Sequence, residues 1–165
     1  MHSLGRLVLL VNDYDTAIAF YQDKLGMQVF VDMAVGPQRY VHLRLPEQPS
    51  VGVWLLQAQT QAQRDRVGDQ TGGQPVGVFY TDDVARDHAR FAARGVRFTR
   101  EPVDDTAAIY AHFIDLYGNE FVLVQPHYTW PPLPPPAPRP SATRRPPATC
   151  GRPTAADPAA AARPL

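Results

Sequence analysis

An internal repeat of about 70 residues is the feature that most constrains how this chain folds. The pattern Tyr-x-His occurs at Tyr40–His42 and returns 70 positions later at Tyr110–His112. Other landmarks recur in the same order and at nearly the same spacing: Asp13 and Asp83, Gly26 and Gly95, and Gln57 and Gln125. Independent landmarks that share one period indicate a duplication. The sequence therefore predicts two copies of one folding unit.

Each copy reads as a strand, a helix and three further strands. In the first copy, the apolar run at residues 6–11 predicts a strand. Asn12 or Asp13 is then placed to cap a helix, and Gly26 to end it. Three apolar runs follow, and after a polar linker the second copy repeats the order. We predict an α+β fold of two tandem βαβββ modules, at about residues 4–57 and 75–127.

The C-terminal part of the chain differs from the rest in composition. From Trp130 onward it holds 12 of the 18 prolines, and it has little apolar surface to offset the entropy cost of ordering. We predict a single domain at residues 1–127, followed by a disordered Pro/Ala/Arg-rich tail at residues 128–165. An alternative is that the tail binds a partner as a proline-rich ligand or through its arginines.

Charge and cysteine content narrow the function classes. Residues 1–127 carry 11 Lys and Arg against 15 Asp and Glu, so this part lacks the basic surface that nucleic-acid binding requires. The single cysteine, Cys150, cannot form a disulfide within one chain. The apolar run Leu7–Val11 is too short to span a membrane. We expect a soluble cytoplasmic protein that binds neither nucleic acid nor membranes.

Two segments carry a resemblance to a known family. The opening VLLVNDYDTAIAFYQDKLGM and the closing FIDLYGNEFVLVQP, on duplicated βαβββ modules, resemble the vicinal-oxygen-chelate superfamily. This superfamily includes glyoxalase-type lyases, bleomycin-resistance proteins, fosfomycin-resistance enzymes and ring-cleaving dioxygenases. The resemblance covers roughly residues 4–127. It implies that the modules form a cupped mixed sheet that holds a small ligand, and that the protein is a homodimer.

The resemblance also implies where a metal would bind. Metal-dependent members place His, Glu or Gln ligands on the first and last strands of each module. The corresponding positions are Arg6, Trp54 or its neighbour Leu55, Val76 and Val122. None of these side chains offers a lone pair to a metal ion. We therefore expect no metal and no other cofactor, which disfavours chemistry that needs a Lewis acid.

Strand alternation then suggests what lines the cup instead. Because successive side chains point to opposite faces, Tyr40, His42 and Arg44 share one face of their strand, and Tyr110 and His112 share the equivalent face of theirs. Arg6 would place a fixed cation in the cup, paired with Glu120 or with an anionic ligand. No catalytic residue is assigned. The predicted ligand-binding residues are Arg6, Tyr40, His42, Trp54, Tyr110, His112 and Glu120.

These observations favour a metal-independent small-molecule-binding protein that sequesters or acts on an aromatic or anionic compound. One alternative is a metal-dependent lyase or dioxygenase whose ligand set is non-standard and includes His42, His112 and Glu120. In another, the two Tyr-x-His pairs are packing residues retained after duplication. In a third, the tail is the active part of an interaction protein.

Overall fold

The computed structural model describes residues 3–48 and 50–128. The first module contains β1 (Arg6–Val11), α1 (Tyr14–Asp23), β2 (Gln28–Val35), β3 (Gln38–Arg44) and β4 (Gly52–Gln57). A short helix, α2 (Gln61–Arg64), follows. The second module contains β5 (Gly77–Tyr80), α3 (Val84–Ala93), β6 (Arg97–Asp104), β7 (Ala108–Ile114) and β8 (Glu120–Pro126). The predicted order of elements is confirmed in both copies.

The two modules have the same sheet topology. The strand orders are β1-β4-β3-β2 and β5-β8-β7-β6. In each sheet the first strand is parallel to the last strand of its module, and the other neighbours are antiparallel. The α+β fold and the duplication are therefore confirmed. The described strands of one chain form two separate four-stranded sheets, so joining them into one cup remains a prediction.

Both long helices begin and end as the repeated landmarks predict. The Asp13 carboxylate accepts a hydrogen bond from the Thr16 backbone N–H at 2.8 Å, so Asp13 and not Asn12 caps α1. Asp83 caps α3 in the same way. Beyond the helix ends, Gly26 and Gly95 have φ angles of 74° and 80°, a left-handed conformation that a residue without a Cβ adopts most easily.

One face of each sheet packs against its helix. In β3, Val41 and Leu43 are fully buried, and in β7 so are Ala111 and Phe113. These residues alternate with partly exposed ones, as a half-buried strand requires. The predicted orientation of β3 and β7 is thus confirmed, and it leaves the other face of each sheet available for a site.

A β-bulge interrupts the alternation at the same place in each module. In β2, Val29 pairs with Leu43 while Val31 pairs with His42, so Phe30 is the extra residue. In β6 the register shifts between Phe98 and Arg100. A bulge re-aims one side chain relative to the regular strand. It therefore brings Phe30 to the face that the helix does not cover.

The linker between the modules also forms hydrogen bonds with strand β1 through Gln70. The Leu10 N–H donates to Gln70 Oε1 at 2.9 Å, and Gln70 Nε2 donates to the Val8 carbonyl at 3.1 Å. Gln70 thus satisfies backbone groups at the outer edge of β1, which an unpaired edge strand would leave open.

The predicted tail, apart from Tyr128, lies outside the described residues. Among residues 3–48 and 50–128, no helix is both long and apolar enough to cross a membrane.

Candidate ligand-binding site

The uncovered face of the first sheet collects aromatic and basic side chains. In the strand register, His42 lies opposite Trp54, and Arg6 lies opposite Gly52. Residues that pair across neighbouring strands share a face of the sheet. With the bulged Phe30, the members of this first-module face are Arg6, Phe30, Tyr40, His42, Arg44 and Trp54. It contains four of the seven predicted ligand-binding residues.

Three aromatic rings on this face contact one another. The rings of Tyr40 and Trp54 are stacked, with centroids 5.9 Å apart and an interplanar angle of 26°. The His42 ring meets Trp54 edge-on, at 5.8 Å and 65°. Such contacts hold the rings in defined orientations. Together, Tyr40, His42 and Trp54 form a half-buried aromatic wall on this face.

The basic end of the face is built around Phe30. The Arg6 guanidinium lies 4.1 Å from the Phe30 ring centroid, and that of Arg44 lies 5.2 Å from it. Gly52 makes this arrangement possible. A Cβ at position 52 would meet the Leu43 carbonyl oxygen and lie 3.4 Å from the Phe30 ring. The absence of a side chain there lets Phe30 pack over the backbone, with both guanidinium groups near its ring.

Three hydrogen-bond donors on this face are buried without a partner among the described residues. They are Nε of Arg6, Nε of Arg44 and Nε1 of Trp54. Elsewhere on its guanidinium, Arg6 donates to the Gly5 carbonyl. The sequence-based candidate for pairing Arg6 within the chain, Glu120, instead contacts His112 and Thr99. Buried donors normally have partners, so these three atoms are exceptions to that rule.

The positive charges also affect His42. Burial, and secondarily the charge of Arg6, lower the pKa of His42 below its ordinary value of 6.5. The imidazole is therefore neutral at pH 7, and it keeps one donor and one acceptor nitrogen. Because the unfolded chain binds the proton more tightly, this group lowers stability as the pH falls below about 6.5.

A titration tests this arrangement. We expect the His42 pKa measured by NMR to lie below 6.5 in the native protein and to rise in Arg6→Gln, because a nearby positive charge is removed. Arg66→Gln, which removes an exposed arginine of the linker, is the matched control and should leave the titration unchanged. If the His42 pKa is the same in Arg6→Gln as in the native protein, the placement of Arg6 close to His42 is contradicted.

The second sheet presents a related face with different chemistry. His112 lies opposite Val122, and Tyr110 lies opposite Val124. His112 Nδ1 is 2.6 Å from Glu120 Oε1, so this carboxylate orients the imidazole. The remaining three predicted residues, Tyr110, His112 and Glu120, are thus brought together here.

Equivalent positions of the repeat show how the two faces diverged. Tyr40 and His42 correspond to Tyr110 and His112, and the β2 and β6 bulges coincide. The basic end, however, has no counterpart in the second module. In repeat order, Arg6, Phe30, Arg44 and Gly52 of the first module correspond to Val76, Thr99, Ile114 and Glu120 of the second.

The positions at which a metal would be bound do not fit one. Arg6 and Trp54 lie on the first-module face, and Val122 lies opposite His112 on the second; none of these side chains is a metal ligand. In residues 3–48 and 50–128, no three His, Cys, Asp or Glu side chains are grouped so that they could hold a metal ion. The alternative set of His42, His112 and Glu120 is therefore not assembled within one chain.

Alternation along β3 placed Arg44 on the same face as Tyr40 and His42, but the predicted set of ligand-binding residues did not include it. Phe30 carries no such signal, because the bulge breaks the period of two at that point.

The first-module face is open in a single chain. A cavity of about 730 Å³ lies near Leu45 and Arg86, and one of about 400 Å³ lies between β1 and β5; neither is lined by Trp54 or His42. Both faces also carry exposed apolar side chains, which commonly mark a contact surface. These are Val8, Met33 and Val35 in the first module and Val78, Tyr80 and Val103 in the second.

Two curated relatives resemble this chain over most of their length. An uncharacterized protein of Shewanella frigidimarina is 37% identical over 125 residues, which cover 74% of this chain and 93% of that protein. The uncharacterized protein YurT of Bacillus subtilis is 29% identical over 119 residues, which cover 71% and 94%.

Two solved structures share the fold. UcmS2 has a TM-score of 0.68 and 30% identity, and the match covers 75% of this chain and 98% of that one. TnmS3, described as an antibiotic binding protein from Streptomyces sp. CB03234, has a TM-score of 0.64 and 23% identity over 76% and 97% of the two chains.

The family model described as "Glyoxalase/Bleomycin resistance protein/Dioxygenase superfamily" matches residues 3–123. This match spans both βαβββ modules, and the duplicated topology agrees with it. The chain therefore belongs to the glyoxalase/bleomycin resistance protein/dioxygenase superfamily.

Proposed function

We propose that this protein binds a small aromatic or anionic molecule on the first-module face, without a metal ion. The observation that carries the proposal is the pair of guanidinium groups of Arg6 and Arg44, which form no ion pair within the described residues, beside stacked aromatic rings. A face that only packs in the fold gains nothing from donors without acceptors. A ligand with a flat apolar part and an acceptor would use both features.

The metal-independent part of the proposal rests on residue chemistry. Arg6 and Trp54 occupy positions at which metal-dependent relatives carry ligands, and a guanidinium is a permanent cation. It would repel a divalent ion and attract an anion. TnmS3, which shares the fold, is described as an antibiotic binding protein, and that description supports a binding role for the same architecture.

We further propose that the protein is cytoplasmic and that two copies of the chain together complete the binding site. The first-module face is open, and both faces carry exposed apolar side chains, among them Met33 at 54% and Tyr80 at 63% exposure. Burying such surface is favourable. A homodimer in which one copy's first-module face meets the second-module face of its partner would cover both surfaces. Tyr110, His112 and Glu120 of that partner would then line the same cup.

A compound screen tests the binding function. We expect aromatic metabolites and antibiotics of the right shape to raise the melting temperature of the full-length protein, because they bind only the folded state. The shift should persist in EDTA and be lost in Trp54→Ala. Elemental analysis of the purified protein should show no stoichiometric transition metal. Sedimentation velocity should show a dimer.

The same experiment separates this proposal from the metal-dependent alternative. Stoichiometric Zn, Ni, Mn or Fe that is lost in a variant carrying His42→Ala and His112→Ala would contradict it. Binding that survives Trp54→Ala would place the ligand elsewhere. A protein truncated after His127 serves as a further comparison, since binding that needs the tail would favour the interaction role.

A further inference from the structure

The basic end of the first-module face, formed by Arg6 and Arg44 around Phe30, indicates which class of ligand binds there. Three other arginines of the described chain pair with carboxylates: Arg39 with Asp15 and Asp32, Arg86 with Asp82 and Asp87, and Arg90 with Asp87. In the same described residues, neither Arg6 nor Arg44 forms an ion pair. Both are nevertheless partly buried, and the Nε of each is inaccessible to solvent. The fold thus holds two guanidinium groups together without supplying an anion.

The surroundings of this pair differ from the second module in residue type. The bulge that both modules share carries Phe30 in the first module and Thr99 in the second. A glycine at position 52 leaves room for Phe30, and the two guanidinium groups lie 4.1 and 5.2 Å from its ring centroid. The equivalent of Gly52 in the second module is Glu120. In residues 3–48 and 50–128 no carboxylate pairs with either guanidinium group, so their charges remain available to an anionic ligand.

The donors indicate the geometry of that anion. The two terminal nitrogens of a guanidinium carry N–H groups in one plane, and this planar edge matches the two oxygens of a carboxylate. The unpartnered indole N–H of Trp54 adds a third donor on the same face, on the aromatic wall that Tyr40 stacks against. A ligand that reaches both features must carry its oxyanion on, or close to, a flat ring.

From this juxtaposition we infer that the ligand is an aromatic carboxylate, with its carboxylate held by Arg6 and Arg44 and its ring against Trp54 and Tyr40. This inference rests on the proposed function and narrows it to one substrate class. It also assigns binding roles to Arg44 and Phe30: Arg44 contacts the carboxylate, and Phe30 holds both guanidinium groups in place.

Matched pairs of acids and amides test the inference. The probes are benzoate and 2-naphthoate, each compared with its primary amide, which has the same ring and no charge. Binding is followed by quenching of Trp54 fluorescence in the full chain carrying Trp130→Phe, because the chain has two tryptophans. We expect at least one acid to bind about tenfold or more tightly than its amide, the range of a charge-assisted hydrogen bond.

Variants identify the groups responsible. Combining Arg6→Gln with Arg44→Gln should reduce the preference for the acid to about threefold or less, while binding of the amide changes little. Arg44→Lys keeps the charge but loses the planar edge, so it should lose part of the preference. Arg66→Gln is the control for removal of one positive charge. Melting curves of each variant report whether it is folded.

The outcomes separate this inference from the proposed function. If acid and amide bind equally, and isothermal titration detects neither with Trp54→Ala, the carboxylate assignment is wrong and the binding function stands. If the acid is preferred but the double arginine variant retains that preference, the assignment to Arg6 and Arg44 is wrong. If no acid of the series binds, the inference is also wrong, and the compound screen alone then decides the proposed function.

Discussion

Asp115→Ala is expected to lower the free energy of unfolding by about 3–5 kcal/mol, because it leaves several buried donors without an acceptor. Asp115 is only 4% exposed. Its Oδ1 accepts hydrogen bonds from the backbone N–H groups of Tyr117, Gly118 and Asn119, at 2.8 to 2.9 Å. One carboxylate oxygen therefore organises the whole turn between β7 and β8.

The other oxygen of Asp115 joins the two modules. Oδ2 accepts from the Tyr21 hydroxyl at 2.6 Å and from Asn119 Nδ2 at 2.8 Å. Burial, with the nearby charge of Asp115, raises the pKa of Tyr21 well above its ordinary value, so the phenol stays protonated and donates. The helix of the first module is thereby attached to a turn of the second. Loss of the carboxylate affects both the turn and the contact between modules.

Urea unfolding followed by circular dichroism measures this effect. Tyr21→Phe removes only the contact between modules, so it should cost less, about 1–2 kcal/mol. Asp23→Ala removes an exposed carboxylate of α1 and should change stability by no more than about 0.5 kcal/mol. A loss below about 1 kcal/mol in Asp115→Ala would show that the turn forms without its acceptor.

Trp54→Ala is expected to weaken ligand binding by about 10- to 100-fold, the usual effect of removing a central aromatic contact. Trp54 lies at the middle of the first-module face, between the Tyr40 ring at 5.9 Å and the His42 ring at 5.8 Å. It is also the one aromatic side chain there with a buried, unpartnered N–H. Removing it takes away the stacking surface and the donor together.

Trp54→Phe separates these two contributions. It keeps a flat ring and loses the N–H, so it should retain most of the affinity for an uncharged aromatic probe. Isothermal titration with the tightest compound from the screen gives both affinities, and melting curves establish that each variant is folded. Equal affinities of native protein and Trp54→Ala would exclude the first-module face as the binding site.

Local sequence patterns predicted most of the fold. Apolar runs, the Asp13 and Asp83 caps and the glycines at 26 and 95 each act within a few residues, and the structure confirms them. The repeat then indicated that the two modules share a topology. Alternation along β3 and β7 also placed Tyr40, His42, Tyr110 and His112 on uncovered faces.

The rest depended on contacts between residues distant in sequence. The Asp-x-x-Gly-Asn turn is visible in the sequence, but its bond to Tyr21 spans 94 positions. Strand position suggested Glu120 as one possible partner of Arg6. In the structure, Glu120 lies in the other module and contacts His112. Only the arrangement of the two sheets decides which charges meet.

By itself, the sequence determined which elements form, where the helices start and stop, and which strand residues share a face, because these follow from backbone geometry over a few residues. The tertiary structure alone decided that Phe30 lies close to Gly52 and to the guanidinium groups of Arg6 and Arg44. That cluster needs a bulge in β2, a missing side chain in β4 and cations from β1 and β3. No local pattern encodes it, since it arises only when four strands pair in one register.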